Sequence, residues 1–289
     1  MESAAQEIQK AGFAPAKRCP RRIIASIQGP VKCGKTRLAL TAPKPCGYIA
    51  VEVGGDEGVV DQFIPDGQDV YDGIQSVQIR MATPAFVDRS AYPLNKDGDK
   101  LYDAAVAAEN QIVADAAYNK FLDAYYTSLA NFRTTIVDTG SDLWELLRMA
   151  FYGKLEKVPQ LAYTALNKAY DKLLDDAFSY QGNVIFTHHL KRVWESYTDN
   201  NGKEQRRASD QWEMAGYAGI KKKVQAVIEL WREDLTEPNI NTGRMVKFNG
   251  IIVDSRHSPD AMGEKFEDDF TFADIGKKII SGTSERDWQ

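Results

Sequence analysis

Short apolar runs and longer amphipathic stretches alternate along this chain, and the alternation predicts an α/β fold. Such short runs are typical of buried strands in a mainly parallel sheet that is covered on both faces. Strands are predicted at Ile23–Ile27, Gly47–Val53, Thr134–Asp138, Asn183–His189 and Ala226–Trp231, with an edge strand at Ser76–Met81. Helices on both faces of the sheet complete the predicted core.

Apolar positions three or four residues apart predict the helices. The first, Arg37–Ala42, ends at Pro43, because proline lacks the N–H that a helix interior needs. The longest, Ala104–Phe132, is predicted as an insertion with apolar positions at Val106, Val113, Ala117, Phe121, Ala124 and Leu129. Further helices are predicted at Asp142–Tyr152, Pro159–Tyr180 and Phe272–Ile280.

Near the C-terminus, two strand-like runs flank the dipeptide Asn249–Gly250. Met245–Phe248 precedes it and Ile251–Asp254 follows it. Because Asn-Gly favours a type I′ turn, we expect a tight β-hairpin here. The chain then divides into an N-terminal arm (residues 1–20), a core (21–257) and a polar C-terminal tail (258–289) whose last residues we expect to be loose.

Composition sets limits on the partners. The chain has 289 residues, a net charge of −5 and 43% hydrophobic residues, which suits one α/β unit with a sizeable core and no global positive field. Any nucleic-acid binding must therefore come from a local patch. The three cysteines, Cys19, Cys33 and Cys46, match neither a zinc pattern nor a disulfide framework, so we expect a reducing cytoplasm. No apolar run approaches a membrane span, and we expect no membrane partner.

The segment Gly29–Thr36 lies between the first predicted strand and the first predicted helix, which is the context of a phosphate-binding loop. Backbone N–H groups of such a loop bind anions, Lys35 can reach the β- and γ-phosphates, and the Thr36 hydroxyl can hold Mg²⁺. We therefore predict a nucleoside triphosphate site. Its expected binding residues are Gly29, Pro30, Val31, Lys32, Cys33, Gly34, Lys35, Thr36 and Arg37.

Two acidic positions complete the predicted hydrolysis site. Asp138 ends a short buried strand about 100 residues after the loop, as expected of the carboxylate that holds Mg²⁺ or its water together with Thr36. Glu52 follows the second strand and is our first choice for the residue that activates water. Glu57 is the second choice and Asp56 stays open, and all three could equally be solvated loop carboxylates.

Two adjacent histidines end the strand Asn183–His189. Their side chains must point to opposite faces, so at most one of them can reach the nucleotide. We expect His189 to hydrogen-bond the γ-phosphate and to report hydrolysis to the segment that follows, with a structural histidine as the alternative. Arg256, further along, is either a cation that reaches a phosphate across a subunit boundary or an exposed charge.

Basic and aromatic residues are interleaved over residues 190–217, predicted as a mobile, hairpin-like loop that turns at Asp199–Gly202. Cations that follow phosphates and rings on which bases stack are the ingredients of single-strand binding, although charge runs are usually solvated faces. The candidate DNA-binding residues are Lys191, Arg192, Trp194, Lys203, Arg206 and Arg207.

The order of these features resembles that of the RecA-like ATPases. More narrowly, it resembles the compact RecA-like nucleotide-binding proteins of bacteriophages that promote single-strand annealing. The residues that carry the resemblance are Gly29–Thr36, Thr134–Asp138 and Val184–His189 with the following Lys191–Arg192. In that family a polar residue ending the fourth strand, commonly Gln, senses the γ-phosphate, which implies His189. The family's catalytic Glu follows the second strand, which implies Glu52.

The resemblance also implies cofactors and partners. It implies ATP and Mg²⁺, with ATP bound between adjacent subunits of a filament or ring, and DNA-stimulated hydrolysis in recombination or repair. Single-stranded DNA is the implied partner, and we expect a single-strand-binding protein as a further one, in the bacterial host cytoplasm if the chain is phage-encoded. The arm Phe13–Ala16 is similar to the polymerisation plug of the eukaryotic and archaeal recombinases.

Two other functions use the same loop. A small-molecule or nucleotide kinase would need an arginine-rich lid, and none is evident in the sequence. A nucleotide-gated assembly or loading factor of the AAA⁺ type should carry a C-terminal helical lid, where this sequence predicts a hairpin instead. The RecA type is therefore the favoured hypothesis.

Overall fold

The structure is a computed structural model that describes residues 21–51, 58–68, 73–80, 90, 96–153, 162–198, 203–239 and 243–288. The arm at residues 1–20 with Phe13–Ala16, the acidic cluster Glu52, Asp56 and Glu57, and the turn at Asp199–Gly202 lie outside these ranges. The predictions made for them stay predictions.

In the described part of the chain, a nine-stranded sheet forms the centre of the fold. The strands are β1 (Ile24–Gly29), β2 (Cys46–Ala50), β3 (Ile74–Gln78), β4 (Thr134–Asp138), β5 (Asn183–Thr198), β6 (Glu204–Met214), β7 (Ala226–Asp234), β8 (Val246–Ser255) and β9 (Lys265–Glu267). Along the main sheet they follow the order β3-β2-β4-β5-β1-β7-β8-β9, and β6 pairs with β5. The first six strands in this order, from β3 to β7, are mutually parallel, whereas β8 pairs antiparallel with both β7 and β9.

Helices cover both faces of the sheet and enclose two separate apolar clusters. They are α1 (Lys35–Leu40), α2 (Lys96–Asn131), α3 (Gly140–Tyr152), α4 (Tyr163–Ala177), α5 (Ile220–Lys223) and α6 (Phe272–Ile279). Buried residues of α2, α3 and α4 belong to one cluster, and those of α1 and α6 belong to the other. The predicted α/β core, with a mainly parallel sheet and helices on both faces, is confirmed.

The longest helix, α2, begins eight residues earlier than the predicted Ala104 and packs one stripe of side chains into the core. That stripe consists of Ala114, Ala117, Phe121, Tyr125 and Leu129, at the spacing of one helical face. None of the helices in the described ranges has the length and apolarity that crossing a membrane requires.

Strand β5 continues beyond the sheet instead of ending at His189. Residues 183–189 pair with β1 and β4, and residues 190–198 pair with β6 as an antiparallel ribbon. At about 3.3 Å per residue, the outer half of β5 carries the chain about 30 Å from the sheet edge. The predicted hairpin-like excursion is therefore a two-stranded extension of a core strand, and we call residues 190–214 the β5–β6 ribbon.

The predicted turn at Asn249–Gly250 is wrong. Both residues lie inside β8, where Gly250 pairs with Leu230 on one side and Phe266 on the other. Neither has the positive φ that a type I′ turn requires. Position 250 has no room for a side chain, because a Cβ at Gly250 would lie 2.8 Å from Phe270 Cζ and 2.9 Å from Leu230 Cδ2. The antiparallel C-terminal strands are instead β7, β8 and β9.

The C-terminal segment is part of the core, so the expectation of loose last residues is wrong for the described residues up to 288. Helix α6 has a capping box between Thr271 and Asp274, and Trp288 is buried against it. A Cβ at Gly276 would lie 2.5 Å from the Trp288 ring, which shows how closely the two pack. The side chain of Asp287 also accepts a hydrogen bond from Arg21 at 2.6 Å.

Replacing Gly250 with alanine is expected to destabilise the fold by about 1–3 kcal/mol, because the added methyl group overpacks the contact with Phe270 and Leu230. Urea unfolding of the full chain measures this change. The double variant Gly250→Ala/Phe270→Leu should recover part of the loss, since the shorter side chain vacates the space. A neutral Gly250→Ala variant would contradict the close packing described here.

Candidate nucleotide-binding site

The loop Gly29–Thr36 leaves β1 and turns into α1 as predicted. Gly34, immediately before the helix, has φ of 90°, a conformation that side chains other than glycine rarely adopt. Gly29 is required for another reason, because a Cβ there would lie 2.5 Å from both Cys33 Sγ and the Leu230 carbonyl oxygen. The two glycines bend the loop around a concave opening, which suits the approach of a phosphate to backbone N–H groups.

Lys35 lies across this loop. Its Nζ donates hydrogen bonds to the carbonyl oxygens of Gly29 at 3.0 Å and Pro30 at 2.7 Å, and the residue is buried. Cys33 is buried beneath the loop, and burial raises the pKa of its thiol, so the side chain is a neutral packing group. The loop therefore presents the ammonium group of Lys35 as its cation and keeps the sulfur inside.

Asp138 ends β4 beside the loop and is almost fully buried. Its Oδ2 accepts hydrogen bonds from Thr36 Oγ1 at 2.6 Å and from Tyr48 Oη at 2.7 Å, and its Oδ1 accepts one from Thr187 Oγ1. The three donors come from α1, β2 and β5. The predicted meeting of Thr36 and Asp138 is thus present in the fold.

The donor set of this pair fits Mg²⁺. The ion prefers oxygen ligands and keeps several waters when bound to proteins, and a threonine hydroxyl beside a carboxylate supplies that chemistry. The hydrogen bonds to Asp138 come from neutral hydroxyl groups, which leave the carboxylate charge available to a cation. Thr36 and Asp138 are the residues that would hold the ion directly or through water.

A cavity of about 600 Å³ opens above the loop, within the size range of small-ligand sites. Residues from distant parts of the chain surround it. Its lining consists of residues 31–37, Val59, Gln62, Asp138, Thr139, His189, Arg244, Val246 and Phe248. The lining combines polar side chains, among them Lys35, Thr36 and Asp138, with apolar and aromatic ones such as Val246 and Phe248.

The two adjacent histidines point to opposite faces, as predicted. His189 lines the cavity, and its Nε2 lies 4.0 Å from Asp142 Oδ2. His188 is fully buried and its Nδ1 lies 3.0 Å from Ser26 Oγ. Burial, with a smaller effect from the neighbouring His189, lowers the pKa of His188 to about 3. His188 is therefore a neutral structural residue, and His189 is the one that lines the cavity.

Ser141, in the first turn of α3, links the cavity to the base of the β5–β6 ribbon. Its Oγ accepts a hydrogen bond from the His189 N–H at 3.0 Å and donates one to the Ala215 carbonyl oxygen at 2.8 Å. The Ala215 N–H in turn donates to the His189 carbonyl oxygen at 2.8 Å. Both ends of the ribbon are thereby attached to the helix that starts directly after Asp138 and Thr139.

Aromatic side chains are exposed along the ribbon. Trp194 is 66% exposed, Trp212 49% and Tyr197 42%. The guanidinium of Arg192 lies 5.3 Å from the Trp212 ring centre, and that of Arg207 lies 5.4 Å from the Tyr197 ring centre. The ribbon therefore presents three large rings and two ring-stacked cations to solvent.

Carboxylates accompany the cations of the ribbon, which the sequence reasoning overlooked. The basic residues are Lys191, Arg192, Lys203, Arg206 and Arg207, and the acidic ones are Glu195, Asp199, Glu204, Asp210 and Glu213. Lys191 Nζ lies 3.2 Å from Glu213 Oε1, and Arg207 Nε lies 3.1 Å from Glu195 Oε1. The side chain of Arg206 is not among those that the structure describes. The expected basic patch is thus electrically balanced.

Arg256 follows β8 at the other edge of the sheet, where its N–H donates to the Gln225 carbonyl oxygen at 2.9 Å. Gln225 precedes β7, whereas the phosphate loop follows the carboxyl end of β1. Arg256 is therefore remote from the cavity of its own chain. A contact with the nucleotide of another copy stays a prediction, as does the role of Glu52.

Several residues of the site were not predicted from the sequence. They are Tyr48, Ser141, Thr187, Arg244, Val246 and Phe248. A sequence signal existed for Val246 and Phe248, because alternate residues of a strand share one face. The hydrogen bonds of Tyr48 and Thr187 depend on the register between strands, which the sequence pattern does not provide.

Comparisons with known proteins identify one matching family and a similar solved structure. A family described as AAA domain matches residues 21–234, which is more than half of the chain. The chain is similar in structure to a KaiC-like protein from the hyperthermophilic archaeon Pyrococcus horikoshii, with a TM-score of 0.41 and 13% identity over 85% of this chain and 84% of that chain. No curated protein matches the chain.

The buried His188 is expected to make the fold sensitive to acid. Because its pKa is about 3 in the folded state and near 6.5 in the unfolded chain, the unfolded chain binds more protons between these values. The stabilisation that neutral His188 contributes is therefore fully present above about pH 6.5. Below that pH, this residue lowers the free energy of unfolding by up to about 1.4 kcal/mol per pH unit.

Urea unfolding of the wild-type chain and of His188→Gln between pH 7.5 and 5 tests this expectation. The variant should lose less stability over that range, even if it is less stable at pH 7.5. Parallel pH profiles for the two proteins would contradict the assignment of this acid sensitivity to His188.

Proposed function

Since the chain belongs to the AAA domain family, we propose that this P-loop ATPase domain hydrolyses ATP with Mg²⁺ and uses the nucleotide to control binding of single-stranded DNA by the β5–β6 ribbon. The paired Thr36 and Asp138, beside Lys35 on a glycine-bent loop, support the ATPase part. The link through Ser141 from the cavity to the ribbon is the observation that carries the rest.

In the proposed reaction, each residue of the loop has one task. Backbone N–H groups of the loop and the Lys35 ammonium bind the phosphates and offset the charge that develops on them. Thr36 and Asp138 would hold Mg²⁺, and the ion would supply positive charge that neutralises the phosphates. Tyr48 and Thr187 fix the Asp138 carboxylate by hydrogen bonds, so that it needs no rearrangement when the cation arrives.

Activation of water is assigned to Glu52, following the prediction from the sequence. The Val51 N–H donates to the Asp138 carbonyl oxygen at 2.6 Å, so the chain reaches the edge of β4 one residue before Glu52. The role proposed for Glu52 is to accept a proton from the attacking water. Mutagenesis of each position would identify which of Glu52, Asp56 and Glu57 activates the attacking water.

Coupling to the ribbon depends on His189 and Ser141. His189 lines the cavity, and its backbone lies on the same continuous strand that forms the ribbon. Any movement of His189 on γ-phosphate release shifts a hydrogen bond to Ser141, and Ser141 also holds the returning strand at Ala215. The nucleotide state is thereby transmitted to both strands of the ribbon at its base.

Binding of single-stranded DNA is assigned to stacking on the exposed rings. Base stacking on aromatic side chains contributes about 1–3 kcal/mol per base, and every base can provide it. The ribbon offers Trp194, Tyr197 and Trp212 for this purpose. Because its cations are balanced by carboxylates, we expect affinity with a shallow dependence on salt, unlike proteins that bind mainly by phosphate neutralisation.

The same charge balance favours a second candidate, a nucleotide-gated assembly module whose ribbon binds protein. Exposed aromatic residues among paired charges suit the centre of a protein interface. In this case the partner is another copy of the chain, arranged as the filament or ring implied by the resemblance to RecA-like ATPases. ATP would then promote self-association, and DNA would have no effect on hydrolysis.

Replacing Lys35 with alanine is expected to reduce ATP hydrolysis at least about 100-fold, because the phosphates lose their direct cation. Release of inorganic phosphate with Mg²⁺ present measures the rate. Lys278→Ala, at an exposed lysine that pairs with Glu264, is the matched control and should keep the wild-type rate. Equal rates for Lys35→Ala and the wild type would refute the assigned site.

Trp194→Ala is expected to weaken binding of a fluorescent oligo(dT) strand about 5- to 50-fold and to reduce DNA-stimulated hydrolysis in parallel, while basal hydrolysis is retained. Fluorescence anisotropy with and without ATP measures binding. Trp231→Ala is the control, since Trp231 is 37% exposed on β7 and outside the ribbon.

The two candidate functions give different results in the same experiment. No oligo(dT) binding, together with ATP-dependent assembly that Trp194→Ala abolishes, would reject DNA binding in favour of the assembly module. Equal effects of Trp194→Ala and Trp231→Ala would reject the ribbon as the binding surface in either case. Raising the salt concentration separates stacking from phosphate neutralisation.

A further inference from the structure

Part of the cavity lining comes from residues outside the phosphate loop and the Thr36–Asp138 pair, and its chemistry suits another part of the nucleotide. We propose that Arg244, Val246 and Phe248 form a nucleobase subsite in which the flat ring of the base packs on Phe248. This inference rests on the proposed ATPase function and adds the part of the site that distinguishes a nucleotide from a bare triphosphate.

All three residues line the cavity. Val246 and Phe248 are alternate residues of β8 and therefore share one face of the sheet, and Arg244 lies two residues before the strand begins. Phe248 pairs in the sheet with Arg232 of β7, and Val246 pairs with Asp234. Their position is therefore set by the sheet itself, which gives a stacking surface the rigidity that a flat ligand needs.

The position of these residues matches the direction in which a bound nucleotide would extend. Lys35, Thr36 and Asp138 would hold the terminal phosphates, so the sugar and base would extend away from Asp138. In the sheet, β4 with Asp138 and β8 with Phe248 lie on opposite sides of β1, the strand that leads into the phosphate loop. The Phe248 ring lies against the loop at Gly34, where an added Cβ would be 3.2 Å from Phe248 Cδ1. Val59 and Gln62 line the cavity as well and give the base further apolar and hydrogen-bonding contacts.

Asp269 connects this subsite to the helix that carries the phosphate loop. Its Oδ1 accepts hydrogen bonds from Arg37 and from Arg244, each at 2.8 Å. These bonds to the two guanidinium groups, that of Arg37 first, lower the pKa of the Asp269 carboxyl group, which stays charged. Asp269 is thus a positioning residue that holds Arg244 at the rim of the cavity beside α1.

Isothermal titration calorimetry of the full chain with Mg²⁺ tests the subsite with three ligands. These are adenosine 5′-(β,γ-imido)triphosphate, ribose 5-triphosphate and inorganic tripolyphosphate. The wild type should bind the adenosine analogue about tenfold or more tightly than ribose 5-triphosphate, since only the former carries a base. Phe248→Leu should raise the Kd of the adenosine analogue about tenfold and leave the Kd of tripolyphosphate within about twofold.

Two further variants control for folding and position. Phe248→Trp keeps a stacking ring and should retain the affinity for the adenosine analogue within about threefold. Phe266→Leu changes a half-buried phenylalanine of β9 that is not part of the cavity lining, and should change none of the three affinities.

The results separate this inference from the proposed function. Equal wild-type affinity for the adenosine analogue and ribose 5-triphosphate would overturn the subsite, as would a Phe248→Leu variant that weakens all three ligands alike. In those cases the wild-type chain would still bind and hydrolyse ATP. A wild-type chain that binds none of the three ligands would instead refute the proposed ATPase function.

Discussion

The buried carboxylate of Asp138 is the constraint on which the site depends. A carboxylate out of contact with water is costly unless hydrogen bonds compensate for the lost solvation. Here the hydroxyl groups of Thr36, Tyr48 and Thr187 provide them, one each from α1, β2 and β5. These bonds form only if the three elements meet the end of β4 in one register, so the carboxylate both requires the arrangement of the sheet edge and stabilises it.

The same edge determines what else can be near the phosphates. Parallel strands bring their carboxyl ends together, and the chain leaves each of them as a loop or helix start. Helix α3 begins two residues after Asp138 and carries Ser141, whereas β5 does not stop and becomes the ribbon. The position of Asp138 determines where α3 starts, and this places Ser141 in contact with the base of the ribbon. The nucleotide site and the ribbon are connected by one short hydrogen-bonded path.

Sequence reasoning succeeded where the signal is local and failed where it depends on distant contacts. The strand Thr134–Asp138 and the loop Gly29–Thr36 were predicted correctly, because a short apolar run and a glycine-bounded loop determine their own structure. The turn assigned to Asn249–Gly250 was wrong because Gly250 is needed for its contact with Phe270, a tertiary feature. The burial of Trp288 depends likewise on its packing against α6.

The C-terminal segment extends this argument from the fold to the site. The sequence predicts residues 258–289 as a polar tail, yet Asp269 joins Arg37 to Arg244 and the Phe272 N–H donates to Thr41 Oγ1 at 2.8 Å. Both contacts hold α1, the helix of the phosphate loop, against the segment between β9 and α6. The cavity therefore has one wall built by the first part of the chain and another built by the last. A nucleotide that contacts both would stabilise the folded state over almost its full length, since binding to the folded chain alone shifts the unfolding equilibrium.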